Sequence, residues 1–212
     1  MDKVEHIAVI TGGRADFGLL ANLCQILDKD RRIKLTVIAT GSHLSETHGY
    51  TLNQVLSFNY CNVETIDLNI SNDTSGDINR YISRSISKFS NFFSKHQIQK
   101  ILVLGDRYEI FTAVVASMNA NIPIAHLHGG ESTEGMADEA IRHSITKMSH
   151  LHFVAAEEYK NRIIQMGEHP SKVYKVGGLG LDSIKKLKFL SKAKIEKKIN
   201  FKFLKKNLLI IY

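Results

Sequence analysis

Apolar and polar positions along this chain alternate between two patterns. Short apolar runs occupy 6–11, 34–40, 63–68, 100–105, 122–127, 151–155 and 173–177. Most show no strict alternation, which is how strands buried on both faces of a parallel sheet read. Between them, 15–27, 77–93, 108–118, 138–149 and 157–166 read as helices, and 41–50 (GSHLSETHGY) as a polar loop. Repeated strand–helix units predict an α/β fold with a doubly wound, Rossmann-like parallel sheet. Neither of the two prolines interrupts a predicted helix.

After residue 182 the pattern changes. Residues 183–206 read as a Lys-rich helix and linker, and 207–212 (NLLIIY) as the first strand of a further domain. Residues 1–182 are then one Rossmann-like domain. The Lys-rich stretch also reshapes the charge. The whole chain carries +7, but 185–206 holds ten Lys and one Glu, a net +9, which leaves −2 elsewhere. A nucleic-acid partner calls for a basic face on the folded body, interleaved with aromatics. Here the basicity is one segment, and a solvated lysine face is expected. A hydrophobic content of 43% supports a core. With no apolar run of ~18 residues, no membrane span is expected. The chain enters a strand pattern at once, without a signal-peptide layout. Two cysteines, Cys24 and Cys61, make no disulfide framework; a reducing cytoplasm is the expected setting.

Candidate chemistry gathers where the predicted strands stop, the edge at which open α/β sheets bind ligands. The first strand ends in Thr11-Gly12-Gly13-Arg14. Gly13 there permits close backbone approach to a phosphate and Arg14 offers a cation, unless the segment is a plain tight turn. It is neither a P-loop nor a dinucleotide fingerprint. His43 follows the second strand as a substrate-contacting candidate; His43, Glu46 and His48 lack the spacing of a metal site. Gly105-Asp106-Arg107-Tyr108-Glu109 puts Asp106 at a strand end and helix start, a place for a catalytic or capping carboxylate. Arg107 and Glu109 read equally as helix-face charges.

The run His126-Leu127-His128-Gly129-Gly130-Glu131 is the densest cluster. Strand alternation puts His126 and His128 on one side, and Gly129-Gly130 permit close approach to a ligand. Downstream, Asp138-Glu139-Ala140-Ile141-Arg142-His143 opens a helix. Spacing of four pairs Asp138 with Arg142 and Glu139 with His143. The glycine-rich 177–182 segment reads as a weak nucleotide signal and at least as readily as a hinge between domains.

TGGRADFG, GDRYEIF, IPIAHLHGGE, DEAIRHSITKMSHLHF and GGLGLD together resemble the hydrolysing UDP-N-acetylglucosamine 2-epimerases of bacterial sialic-acid and legionaminic-acid pathways. The resemblance covers nearly all of 6–182. It implies the first half of a glycosyltransferase-B-like two-domain fold, with the active site between the domains. It also implies conversion of UDP-N-acetylglucosamine and water to N-acetylmannosamine and UDP. UDP is eliminated across C1–C2 and water is then added, with no cofactor and no metal. Carried over, Asp106 looks like the acid/base aspartate and Asp138 like a later catalytic acid. Glu131 and His128 fall in the catalytic pocket, and Arg14 near the diphosphate. Gly13, His43, Arg107, Gly129, Gly130, Glu139, Arg142 and His143 line the substrate side. Two positions depart from the pattern: His128, where many members carry Glu, and Leu19, where some carry Lys. The partners implied are a UDP-sugar and either a second copy or a separate C-terminal domain. Three readings stay open: an epimerase acting on nucleotide-linked N,N'-diacetylbacillosamine, a non-catalytic binding module, and a glycosyltransferase of similar fold.

Overall fold

The computed structural model describes residues 4–69, 74–133, 135, 137–186 and 188–210. Seven strands form one sheet: β1 (Glu5–Thr11), β2 (Ile33–Thr40), β3 (Val63–Ile66), β4 (Lys100–Leu104), β5 (Ile124–Leu127), β6 (Leu151–Val154) and β7 (Val173–Lys175). Their order is β3-β2-β1-β4-β5-β6-β7. Every neighbouring pair is parallel, with Ile7 of β1, for example, opposite Leu35 on one side and Lys100 on the other. The order reverses between β1 and β4. Helices after these two strands leave to opposite faces, so a crevice opens at their carboxyl ends.

The helices are α1 (Arg14–Lys29), α2 (Leu52–Leu56), α3 (Ser75–Lys95), α4 (Tyr108–Asn119), α5 (Ala137–Met148), α6 (Glu157–Gln165), α7 (Leu179–Lys186) and α8 (Lys192–Ile199). Alternation along each strand divides the core in two. Ala8, Ile10, Ile38, Ile101, Val103 and Ile124 face α3, α4 and α5, where Phe89, Phe93, Ile110, Val114 and Ile145 meet them. Val9, Leu35, Val37, Ala39, Leu104 and Leu127 face α1, meeting Phe17, Leu20 and Cys24. Burial on both faces accounts for the continuous apolar strands. It also pushes the Cys24 thiol up to about 12, which makes this cysteine inert packing rather than a nucleophile.

Three expectations change. The polar loop after β2 is not open coil: Gly41–Leu44 and Glu46–His48 each make a turn of 3-10 helix, followed by α2. The 177–182 segment is largely helical rather than an open glycine-rich loop. Helix α7 begins at Leu179, which packs with the α1 core, and a Cβ on Gly180 would lie 3.3 Å from Leu19 Cδ2. The expected boundary at 182 therefore falls inside a helix. Of the expected strand over 207–212, residues 207–210 are irregular, and Leu208, Leu209 and Ile210 are exposed; 211–212 lie outside the described residues. The charged helix expected within 183–206 is present as α8. No described helix is long and apolar enough to cross a membrane.

Candidate active site

The carboxyl rim carries two clusters that meet at the end of β4. The first surrounds the crevice between β1 and β4. Gly13 caps α1, and Asp16, three residues on, turns back as in half of a capping box. Its Oδ1 accepts from Gly13 N at 2.8 Å; its Oδ2 accepts from Gly12 N at 2.8 Å and from the Thr11 hydroxyl at 2.9 Å. The backbone N–H groups of Gly12 and Gly13, where close approach to a phosphate was expected, are thus occupied by the protein's own carboxylate. Gly13 is buried, and a Cβ there would stand 2.6 Å from Ser42 Oγ. Its role is to seat the loop after β2, while Arg14 remains exposed at the crevice mouth.

His43 belongs to the same framework. It has no exposed surface. Its Nε2 donates to Thr11 Oγ1 at 3.0 Å, because the Thr11 hydroxyl already donates to Asp16, and its Nδ1 bonds the Thr51 hydroxyl at 2.7 Å. Burial lowers its pKa. The expected substrate-contacting histidine instead ties the first loop to the approach to α2. Across the crevice, Arg107 caps α4 and is 58% exposed; its Nε donates to Glu109 Oε1 at 2.7 Å. Glu109 itself is buried, and burial raises its pKa despite Arg107.

The second cluster spans β4, β5 and α5. Arg142 of α5 is 8% exposed. One end of its guanidinium pairs with Asp106 Oδ2, the other donates to the Glu131 carbonyl at 2.8 Å, and both reach Thr133 Oγ1 at 3.1 Å. The expected Asp138–Arg142 pair is absent because Arg142 is turned inward to Asp106. Asp138 is partly buried and has no hydrogen-bond or ion-pair partner among the described residues. Glu139 does approach His143 (3.7 Å), but its other oxygen accepts from Ser132 Oγ at 2.9 Å and Thr133 N at 2.8 Å, closing the loop before α5. These bonds lower the Glu139 pKa.

His126 and His128 do not share a side. β5 ends at Leu127, and His128 adopts a left-handed backbone, φ 62°. His126 points into the core beneath α5, fully buried. Its Nε2 donates to the Gly105 carbonyl at 3.0 Å and its Nδ1 lies 3.3 Å from Thr146 Oγ1. Burial holds its pKa down at about 3, so it is a neutral prop under the residue preceding Asp106. His128 is turned to the rim. Its Nδ1 donates to Glu131 Oε1 at 2.7 Å, and its Nε2 is buried without a partner among the described residues. His143 Nδ1 is likewise unpartnered.

The diglycine is needed for packing. A Cβ on Gly129 would meet His126 Nδ1 at 2.9 Å, and one on Gly130 (φ 75°) would meet the Tyr159 carbonyl of α6 at 2.5 Å. The close approach expected toward a ligand is an approach to the protein's own core, since both glycines are buried. Sequence reasoning did not single out Asp16, Thr133 or Thr146, and it read Glu109 as a helix-face charge where the side chain is buried. Only Asp16 carried a signal, its position three residues after the glycine cap.

The chain that builds this doubly wound sheet, with acid, imidazole and guanidinium groups on one rim, matches the UDP-N-acetylglucosamine 2-epimerase family in sequence over residues 25–212. The chain belongs to that family. It is 38% identical over 195 residues to polysialic acid biosynthesis protein P7 of Escherichia coli, covering 92% of this chain and 50% of that protein. It is 38% identical over 206 residues to GDP/UDP-N,N'-diacetylbacillosamine 2-epimerase (hydrolyzing) of Campylobacter jejuni, covering 97% of this chain and 53% of that one. The crystal structure of the Neisseria meningitidis UDP-GlcNAc 2-epimerase bound to UDP-GlcNAc superimposes with a TM-score of 0.74 at 25% identity, over 92% of this chain and 53% of that chain. The chain thus spans about half the length of the relatives it matches.

Proposed function

We propose that this chain is the first half of a hydrolysing nucleotide-sugar 2-epimerase that converts UDP-N-acetylglucosamine and water to N-acetylmannosamine and UDP. The observation that carries the reading is the His128–Glu131 pair beside Asp106. The carboxylate accepts the imidazole Nδ1–H, so the His128 lone pair lies on Nε2, which has no partner among the described residues. A buried, unpaired polar atom calls for an explanation, and a carboxylate-backed imidazole is a general base. Epimerisation at C2 requires removal of one proton there and delivery of another, with departure of the diphosphate between them. His128 with Glu131, Asp106 held by Arg142, and Asp138, unpaired among the described residues, supply three proton-handling groups on one rim. Arg14 and Arg107 face the departing diphosphate, and Glu139 and His143 close the α5 side. The second half of the family's length completes the cleft and excludes water.

A second substrate reading has specific support. The C. jejuni relative, and one 36% identical from Legionella pneumophila, are both named for N,N'-diacetylbacillosamine. The test offers UDP-N-acetylglucosamine and UDP-N,N'-diacetylbacillosamine in D2O to the chain alone and to the chain co-expressed with the second half of the E. coli relative. Mass spectrometry should find free N-acetylmannosamine with one deuterium at C2, together with UDP, in the complemented sample. Deuterated product from the bacillosamine sugar only would move the substrate assignment. Sugar on an acceptor, or undeuterated N-acetylglucosamine, would overturn the epimerase reading.

A further inference from the structure

The floor of the β1–β4 crevice is a carboxylate that the proposed chemistry does not use. Glu109 is 3% exposed in the first turn of α4. A Cβ on Gly12 would stand 2.2 Å from its Oε1, and one on Gly41 2.9 Å. Gly41 also holds φ 59°. Two loops from two different strands are therefore glycine where this carboxylate lies. Its hydrogen-bonding side chain is Arg107, through Nε at 2.7 Å.

A buried carboxylate in a crevice meant for an anion is costly twice over: it is desolvated, and it repels the ligand. Arg107 gives it a use. A guanidinium has five N–H donors in a rigid fork. Fixing Nε orients the plane and leaves both terminal nitrogens without a hydrogen-bond partner among the described residues. We propose that Glu109 is the positioning residue for Arg107, aiming the outer edge of the guanidinium at the diphosphate of a nucleotide sugar. Gly12 and Gly41 are the space this anchor requires. The diphosphate half of the inference rests on the function proposed above; the anchoring half does not.

The test uses the chain labelled with 15N-arginine, with the Arg107 Nε–H signal assigned by its loss in Arg107→Lys. Loss of a charge-assisted hydrogen bond should speed exchange of that proton with water by about tenfold in Glu109→Ala. Gly12→Ala should do the same although Glu109 is still present, because the added methyl displaces the carboxylate. Glu109→Gln should be intermediate, since its amide oxygen still accepts. The Arg142 and Arg162 signals should not move. Unchanged Arg107 exchange in Glu109→Ala, or acceleration of all three arginines together, overturns the anchoring. Inorganic pyrophosphate is then titrated into each variant. It should shift the Arg107 signal at lower concentration in the unsubstituted chain than in Glu109→Ala. Equal response overturns the positioning role. No response from Arg107 in either overturns the diphosphate assignment, and the exchange rates still decide the anchoring.

Discussion

The two sides of the rim have the same architecture and opposite states of saturation. Over β1 and β2, Asp16 accepts three hydrogen bonds, and both nitrogens of His43 are used. Over β5 and α5, His128 Nε2 and His143 Nδ1 are buried without partners among the described residues. A strand end, a polar side chain and a following helix occur on both sides. What separates scaffold from candidate chemistry is whether neighbouring groups have consumed the hydrogen-bonding capacity. Within the second cluster Arg142 ties β4 to the loop after β5, pairing with Asp106 while bonding the Glu131 backbone.

The largest effect should come from the unsaturated side. In the chain complemented with a second half, His128→Gln and Asp138→Asn should each lower kcat by roughly 10²–10⁴-fold, the usual loss on removing a general acid or base. Their melting temperatures should stay near that of the parent, because neither side chain supports the fold through Nε2 or the free carboxylate. His43→Gln should behave in reverse, melting lower while the folded fraction keeps its turnover. Steady-state kinetics paired with thermal melts decides this. A His43→Gln variant that melts normally but is inactive would erase the distinction between the two sides.

Gly130→Ala should be the next largest change, and one of stability. The methyl group would fall 2.5 Å from the Tyr159 backbone carbonyl at a φ of 75°. The left-handed backbone costs an alanine about 1–2 kcal/mol, and overpacking against a backbone atom that cannot swing aside adds about 1–3 kcal/mol. Gly105→Ala shares the positive φ, 81°, but its added methyl meets nothing within 4 Å. It should lose only the backbone share. Urea unfolding of both variants checks the difference; equal losses would mean that α6 gives way to the methyl group.

Much of this was legible in the sequence, for identifiable reasons. Continuous apolar runs such as 100–104 are distinctive because both faces of the sheet are covered. Strand ends could be located because Gly105, Gly129 and Gly130 interrupt those runs. What the sequence could not give was the direction of side chains beyond a strand's last residue. Alternation put His126 and His128 together, but a left-handed turn at His128 cancels the rule one residue past β5. Spacing of four paired Asp138 with Arg142, but that rule describes a helix surface, and Arg142 is buried and drawn to Asp106 on another element. The burial of Glu109 depends on two glycines at distant positions, Gly12 and Gly41, and no local pattern encodes it.

The smallest effects concern pH, and the buried histidines and the buried glutamate contribute with opposite sign. His126 has a folded pKa near 3 against an ordinary 6.5. Between those values the unfolded chain binds the extra proton, so stability is held above pH 6.5 and lost as the pH falls toward 3. One histidine supplies a slope approaching about 1.4 kcal/mol per pH unit in that window. Burial lowers His43 and His152 as well, which steepens the loss. His126→Gln keeps an N–H for the Gly105 carbonyl and removes the titration, so its unfolding free energy should fall less steeply between pH 7 and 5. Glu109 runs the other way. Its pKa is raised in the folded state, first by burial, with Arg107 opposing. The folded protein therefore binds that proton more tightly. Its contribution is complete below an unperturbed Glu and is lost as pH rises through the raised value. At neutral pH the desolvation of the buried carboxylate works against stability, and Glu109→Gln should relieve it, because the partner it leaves behind, Arg107, is open to solvent. The gain should shrink as the pH is lowered and the native glutamate takes up its proton. Denaturation at pH 7 and pH 4.5 tests the sign. A Glu109→Gln variant less stable than the parent at pH 7 would mean that the Arg107 pair outweighs desolvation, making the crevice floor a source of stability rather than a cost carried for positioning.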